Sequence, residues 1–280
     1  MAKNVLVFGG SRHIGYHAAT RFLDSGATVT FLLRNPAALD DDSIVQKYVS
    51  TNRARLVKGD ALIISDVQKA WDVATASQEV DLILCTIGFS GTPSFSILKG
   101  VQINPPNLLT ASLLNLLSTM PSYPENRSPK IILVSATGLH HKSRAGAPLL
   151  LRPLYSYFIQ SPLADKLGAE RILYHLSGRS WDPEVPEPGR DILDPGWKDI
   201  KGLPKAGMLK HSVIIRPSVL TDGECLGDRE QGDCAPYRVG EGEVGGWTVS
   251  RRDVAHFIFN LVTIPSQWDK FKDKQISIAY

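Results

Sequence analysis

Short apolar runs alternate with stretches of helical period along most of the chain. Asn4–Phe8 (NVLVF) predicts a strand. Ile14–Ser25 puts Ile14, Ala18 and Phe22 on one face and predicts a helix, ended by Gly26. Thr28–Leu33 (TVTFLL) predicts a second strand, Ser43–Val49 a short helix and Ala54–Val57 a third strand. Ser65–Ser77 predicts a helix with Ser65 as its N-cap, and Asp81–Thr86 a fourth strand. Pro105–Met120 predicts a long helix with proline in its first turn. Lys130–Ser135, Pro162–Ser177 and His211–Arg216 follow as strand, helix and strand.

Strands that are apolar almost throughout are buried on both faces, as in parallel sheets. Alternation of strand and helix calls for crossover connections, so the expected class is α/β with a doubly wound parallel sheet. After the fourth strand the loops lengthen. The segments 86–104, 137–161, 178–210 and 221–250 are rich in glycine and proline. In such a sheet, loops beyond the carboxyl ends of the strands build the ligand site. Residues 1–280 are therefore expected to form a single domain, with 137–161, 178–210 and 221–250 as substrate-side loops.

Composition narrows the partners. Of the 280 residues, 43% are hydrophobic and 21% charged, which suits a large core. The net charge of +3 is spread without a basic block, so nucleic acid is not expected as a partner. Cys85, Cys225 and Cys234 have no C-x-x-C spacing and no clustered histidines accompany them, so neither a disulfide framework nor a metal site is expected. That usage fits a reducing, cytoplasmic setting. MAKN leads into a five-residue apolar run, too short for a signal segment. Leu108–Leu117 (LLTASLLNLL) is too short for a membrane span and predicts a buried helix. Ala147–Tyr157 (APLLLRPLYSY) is very apolar for a loop. Its sparse positive charge favours a pocket lid or a homodimer face over a membrane surface.

The chemistry starts at Val7–Gly15, VFGGSRHIG, between the first strand and its helix. A turn that holds a dinucleotide brings backbone N–H groups and a helix N-terminus to a diphosphate. It uses glycine for the tight turn, for close approach and for helix–strand packing. Gly9 and Gly15 fill the first and last needs, and Gly10 adds freedom beside Gly9. The middle glycine is missing. One register (G-x-x-G-x-x-G) puts Arg12 in its place, the other (G-x-x-x-G-x-G) puts His13 there. At the end of the second strand, NAD-binding turns carry an acidic residue for the ribose hydroxyls; here FLLRNP places Arg34. A guanidinium forks onto a 2′-phosphate, which points to NADP over NAD. Arginines at both places are also compatible with plain solvated surface.

GGSRHIG resembles the GASRGIG and GGTRFIG loops of short-chain dehydrogenase/reductases. That resemblance implies a Rossmann fold, NADP(H) as cofactor, and Gly9, Gly10, Ser11, Arg12, His13, Ile14 and Gly15 as its binding loop, with Arg12 on the 2′-phosphate. It implies further contacts from Asp60 of Lys58-Gly59-Asp60, the partner of the adenine amino group, and from Thr86 and Gly88 of Thr86-Ile87-Gly88 under the ribose. Asp60 reads equally well as a turn residue capping the next segment. Catalytic members place a serine after the fifth strand and Tyr-x-x-x-Lys on the next helix. Here KIILVSAT supplies Ser135 and Thr137, and SPLADKLGAE supplies Lys166, the ribose-holding lysine. Pro162 stands four residues before Lys166, where the acid–base tyrosine belongs.

That departure resembles the atypical branch of the superfamily, related to NmrA and to flavin and biliverdin reductases. Asp165-Lys166-Leu-Gly-Ala-Glu170 fits its D-K-x-x-x-E helix. Arg216-Pro217-Ser-Val-Leu-Thr221-Asp-Gly223 and Thr248-Val-Ser-Arg-Arg-Asp253-Val-Ala fit two further segments, with Ser250 or Asp253 as a helix cap. Tyr155, Tyr157, His140 and His141 are the candidates to replace the missing tyrosine, Tyr155 foremost. The leading expectation is an NADPH-dependent reductase of a small, fairly apolar organic substrate. The rivals are an NmrA-like regulator that binds cofactor without turnover, and a non-redox isomerase or lyase. No G-x-S-x-G elbow follows a strand, which argues against a serine hydrolase.

Overall fold

The apolar runs of the sequence become the strands of one twisted sheet. The computed structural model describes residues 3–88, 94–96, 100–102, 104–123, 127–138, 160–229 and 236–280. In chain order the elements are β1 (Asn4–Phe8), α1 (His13–Asp24), β2 (Thr28–Leu33), α2 (Ser43–Val49), β3 (Ala54–Lys58), α3 (Ile64–Thr75) and β4 (Leu82–Cys85). Then come β5 (Ser94–Ser96), β6 (Gly100–Gln102), α4 (Leu108–Ser118), β7 (Lys130–Val134) and α5 (Gln160–Ser177). The remainder is β8 (Ser212–Pro217), β9 (Val219–Thr221), β10 (Arg238–Glu241), β11 (Thr248–Ser250), α6 (Arg251–Thr263), α7 (Pro265–Phe271) and β12 (Gln275–Ala279).

The main sheet has eight strands in the order β10-β12-β8-β7-β4-β1-β2-β3. Its pairings are parallel except for β10 against β12. From β1 the chain runs outward through β2 and β3 on one side and through β4, β7, β8 and β12 on the other, with β10 added antiparallel at the edge, so this is a doubly wound, Rossmann-like α/β fold. Two small sheets stand apart: the β5–β6 antiparallel pair and the β9–β11 parallel pair.

Side-chain alternation divides the core. Val5 and Val7 of β1 face one layer, with α1 (Ala18, Phe22) and α6 (Val254, Ile258, Leu261). Leu6 and Phe8 face the other, with α3 (Val67, Trp71), α4 (Leu113, Leu116) and α5 (Ile172, Leu173). Both faces of the strand are covered, so its sequence shows no polar alternation. Leu108–Ser118 is a largely buried helix as expected, and among the described residues no helix is long and apolar enough to cross a membrane.

Several boundaries differ from expectation. Ser65 does not cap α3: the helix begins at Ile64, and two aspartates shape the turn before it. The Leu62 amide donates to Asp60 Oδ1 at 2.9 Å, and the Asp60 amide donates to Asp66 Oδ2 at 2.8 Å. Pro105 precedes α4 and is not in its first turn; the carboxylate of Asp165 on α5 satisfies that turn instead. Ser250, by contrast, does cap α6, its hydroxyl accepting from the Asp253 amide. The segment 221–250 was expected to be loop, yet it carries β10 and β11, and β12 then returns to the main sheet. Within 178–210, Leu193, Trp197 and Leu209 are buried in the core layer of α3, α4 and α5. This stretch therefore wraps the helices. Tyr155, Tyr157, His140, His141, Cys234 and the apolar segment 147–157 lie outside the described residues.

One buried ion pair fastens α5 to the sheet. Glu170 is fully buried, and Arg216 on β8 is nearly so. The Arg216 Nε donates to Glu170 Oε1 at 2.9 Å, and its Nη2 donates to the other carboxylate oxygen. Removing one partner of such a pair strands a charge in the core at a cost of roughly 3–5 kcal/mol. Urea denaturation of Glu170→Leu should show a loss of that size, and a loss below about 1 kcal/mol would mean the pair is dispensable.

Candidate functional site

The strand order reverses between β1 and β4. At their carboxyl ends lies a cavity of about 1030 Å³ lined by Gly9, Ser11, Arg12, His13, Arg34, Asp60, Thr86, Gly88 and Lys166, among others. A crevice at this topological switch is where doubly wound sheets bind ligands. Its volume is at the top of the roughly 300–1,000 Å³ range of small-molecule sites.

The β1–α1 turn forms one wall, and its glycines are set by contact with β4. A Cβ on Gly9, whose φ is +84°, would come within 2.7 Å of the Thr86–Ile87 backbone. A Cβ on Gly15 would lie 2.3 Å from Thr86 Oγ1 and 2.4 Å from the Gly9 carbonyl. A Cβ on Gly10 would press on the Phe31 ring at 2.6 Å. Gly10 and Gly15 thus act by packing, behind the wall. Thr86 closes the arrangement: its hydroxyl lies 3.1 Å from both the Phe8 and the Gly9 carbonyls. A Cβ on Gly88, in contrast, would meet no described atom within 4 Å, so the space beside it is open.

The backbone decides which register the turn follows. Arg12 is extended, with φ −162° and ψ 168°. His13 has φ +59°, a left-handed conformation that glycine adopts without strain and a histidine does not. The missing glycine is therefore at His13.

Cations gather around the cavity. Arg12 and Arg34 are exposed on its wall, with Asn35 and Ala38 beside them. Arg251, at the start of α6, also lines the cavity and pairs with Asp222 at 2.8 Å. Partial burial, then the Arg251 and Arg12 charges, hold the His13 imidazole below its usual pKa. Asp60 Oδ1 accepts from the Leu62 amide in the turn after β3, and the residue also lines the cavity.

At the other end Leu108, Val134, Pro162 and Leu220 make an apolar wall, with the Lys166 ammonium set into it. A clamp between helices positions that lysine. The Asp165 carboxylate accepts from the Leu109 and Thr110 amides at 2.7 and 2.8 Å, and the Thr110 hydroxyl donates to the Asp165 carbonyl at 2.7 Å. Gly168 permits the approach, since a Cβ there would lie 2.4 Å from Thr110 Oγ1. The Lys166 ammonium then donates to the Ser135 carbonyl at 2.6 Å. Burial pushes the Lys166 pKa down to about 8, against the opposing pull of Glu170 and Asp165.

Ser135 and Thr137 follow β7 and are not among the described residues that line the cavity. Ser135 is 1% exposed, and the Thr137 hydroxyl donates to the Pro217 carbonyl at 3.2 Å. Two contributors escaped the sequence reading. Arg251 begins a helix, where the dipole disfavours a cation, and that misfit was the available signal. Asp165 is an acid beside Lys166 in α5, and its cap is given to a different helix, α4.

No family model matches the chain. A curated relative, the reductase pytE of Aspergillus terreus, is 28% identical over 269 residues, covering 92% of this chain and 90% of that protein. Among solved structures, ChuY, an anaerobilin reductase of Escherichia coli O157:H7, superposes with a TM-score of 0.56 at 18% identity, over 98% of this chain and 96% of that one. An alcohol dehydrogenase of Thermococcus sibiricus, complexed with 5-hydroxy-NADP, superposes with a TM-score of 0.54 at 12% identity, over 98% and 95%. These structural likenesses extend the doubly wound fold across nearly the whole chain.

The depressed Lys166 pKa has a measurable sign. Between about 8 and the ordinary 10.5, the unfolded chain holds a proton that the folded one has released, so folding stability should rise with pH through that window. Urea midpoints measured from pH 8 to 10.5 should climb more for the wild type than for Lys166→Met. Parallel profiles would show that the ammonium is not desolvated.

Proposed function

We propose that the chain is an NADP(H)-dependent reductase of the atypical short-chain dehydrogenase/reductase kind, acting on a small, fairly apolar organic molecule. The observation that carries this reading is the cavity at the β1/β4 switch, with a glycine-packed helix N-terminus on one wall and two guanidinium groups on its rim. The donor set suits an extended polyanion. Turn amides and the α1 dipole suit a diphosphate, and Arg12 with Arg34 suits a terminal phosphate. The pytE relative, named a reductase, and the Thermococcus dehydrogenase, with its 5-hydroxy-NADP, support the same chemistry.

Arg12 and Arg34 would hold the 2′-phosphate, Ser11 and the turn amides the diphosphate, and Asp60 the adenine amino group. Thr86 and Gly88 would border the ribose, and Lys166 would orient the hydroxyls of the nicotinamide ribose. When bound, the cofactor supplies a hydride. The apolar wall of Leu108, Val134, Pro162 and Leu220 would take up the substrate and exclude water from the transfer. With Pro162 at the tyrosine position, a substrate that needs only weak acid assistance fits best.

Pro162 also favours a second reading, a sensor that binds NADPH without turning it over. A panel of carbonyls, enones and flavins incubated with NADPH separates the two. Oxidation of NADPH with any of them supports the reductase, and tight binding with none consumed supports the sensor.

A charge-assisted contact is worth roughly 1.5–3 kcal/mol, which is about 10- to 100-fold in affinity. Calorimetric titration of Arg12→Ala and Arg34→Ala should show NADPH weakened by that factor while NADH changes less than threefold. Equal weakening of both cofactors would refute the assignment to the 2′-phosphate.

A further inference from the structure

We propose that His13 is a proton-coupled contact of the cofactor diphosphate, taking up a proton as the cofactor binds. The inference deepens the cofactor reading and rests on it. Its basis is the backbone: the turn requires φ +59° at a position where glycine is free of strain, and the chain keeps an imidazole there. The strained residue lines the cavity beside Ser11 and Arg12. It is the residue that opens α1, the end of a helix that favours an anion.

The neighbours are set against charge in the empty turn. Arg12 on the turn and Arg251 from α6 both disfavour an imidazolium at His13. His17, one helical turn further along α1, feels the His13 charge and lies near Arg252 and Arg21. Asp222 is the carboxylate that pulls the other way, and it is already paired with Arg251. Lys166 lines the same cavity from α5. Without an anion, His13 is therefore neutral at pH 7. A diphosphate placed among these groups reverses the balance, because an opposite charge in contact favours the charged ring. Affinity should then rise as pH falls through the bound-state pKa, and level off below that of the free protein.

Calorimetric titration at pH 7 in buffers of different ionisation enthalpy reads the proton directly. Wild type is compared with His13→Gly, which relieves the turn, and with His13→Asn, which tolerates the left-handed region and cannot titrate. NADH is used alongside NADPH, since its diphosphate lacks the titrating 2′-phosphate. The expected result is net proton uptake by wild type with both cofactors, reduced by a substantial fraction of a proton in both variants. Between pH 8 and pH 5.5 the NADH Kd of wild type should fall about tenfold more than that of His13→Asn, the equivalent of a one-unit pKa shift. Thermal melting should show His13→Gly at least as stable as wild type, which establishes that the variant folds. Equal proton uptake in wild type and variants overturns the proposal and leaves the cofactor reading standing. No heat with either cofactor in wild type overturns both.

Discussion

The contact between the β1–α1 turn and the end of β4 is the constraint on which the site depends. Gly9 and Gly15 press against Thr86 with no room for a Cβ, and the Thr86 hydroxyl lies between the Phe8 and Gly9 carbonyls. Interiors packed to this density do not deform gradually. The turn is therefore seated on β4 in one way, and that seating aims the α1 N-terminus into the crevice. The sheet order does the rest, because the direction of winding reverses between β1 and β4 and opens a crevice at their carboxyl ends.

Helix α5 supplies the second fixed point. Four of its residues within six positions tie it to its surroundings: Asp165 caps α4, Lys166 meets the Ser135 carbonyl, Gly168 abuts Thr110 and Ile192, and Glu170 grips Arg216. A helix with polar ties on several sides cannot show a clean apolar stripe. The ammonium facing the cavity is thus located by contacts on either side of it in the sequence. An Asp165 or Glu170 substitution would displace the ammonium without touching any ligand.

Much of the fold was readable because burial on both faces writes itself into the chain as continuous apolar runs. The strands β1 to β4 and β7 came within a residue or two, as did α1 and α2. The later part was opaque for physical reasons. The edge strand β10 (Arg238-Val-Gly-Glu241) is half solvated and carries two charges, so it has no apolar run to notice. β9 and β11 are three residues each, too short for a period. The β1–α1 turn was legible as glycine spacing, but two registers fitted, and only the dihedral angle at His13 separates them. Arg251 was invisible because its partners come from a different loop, 29 residues away in the chain.

The two margins of the sheet differ from its interior in one respect. The outer strand β3 ends in the exposed Lys58, and β10, at the far margin, runs against its neighbour with Arg238 and Glu241 exposed. Charges on a border strand oppose recruitment of another chain's strand through backbone pairing. Self-association by ladder extension is disfavoured at both borders. The same charges shield a very apolar eight-stranded ladder from fibrillar stacking while the chain is still folding.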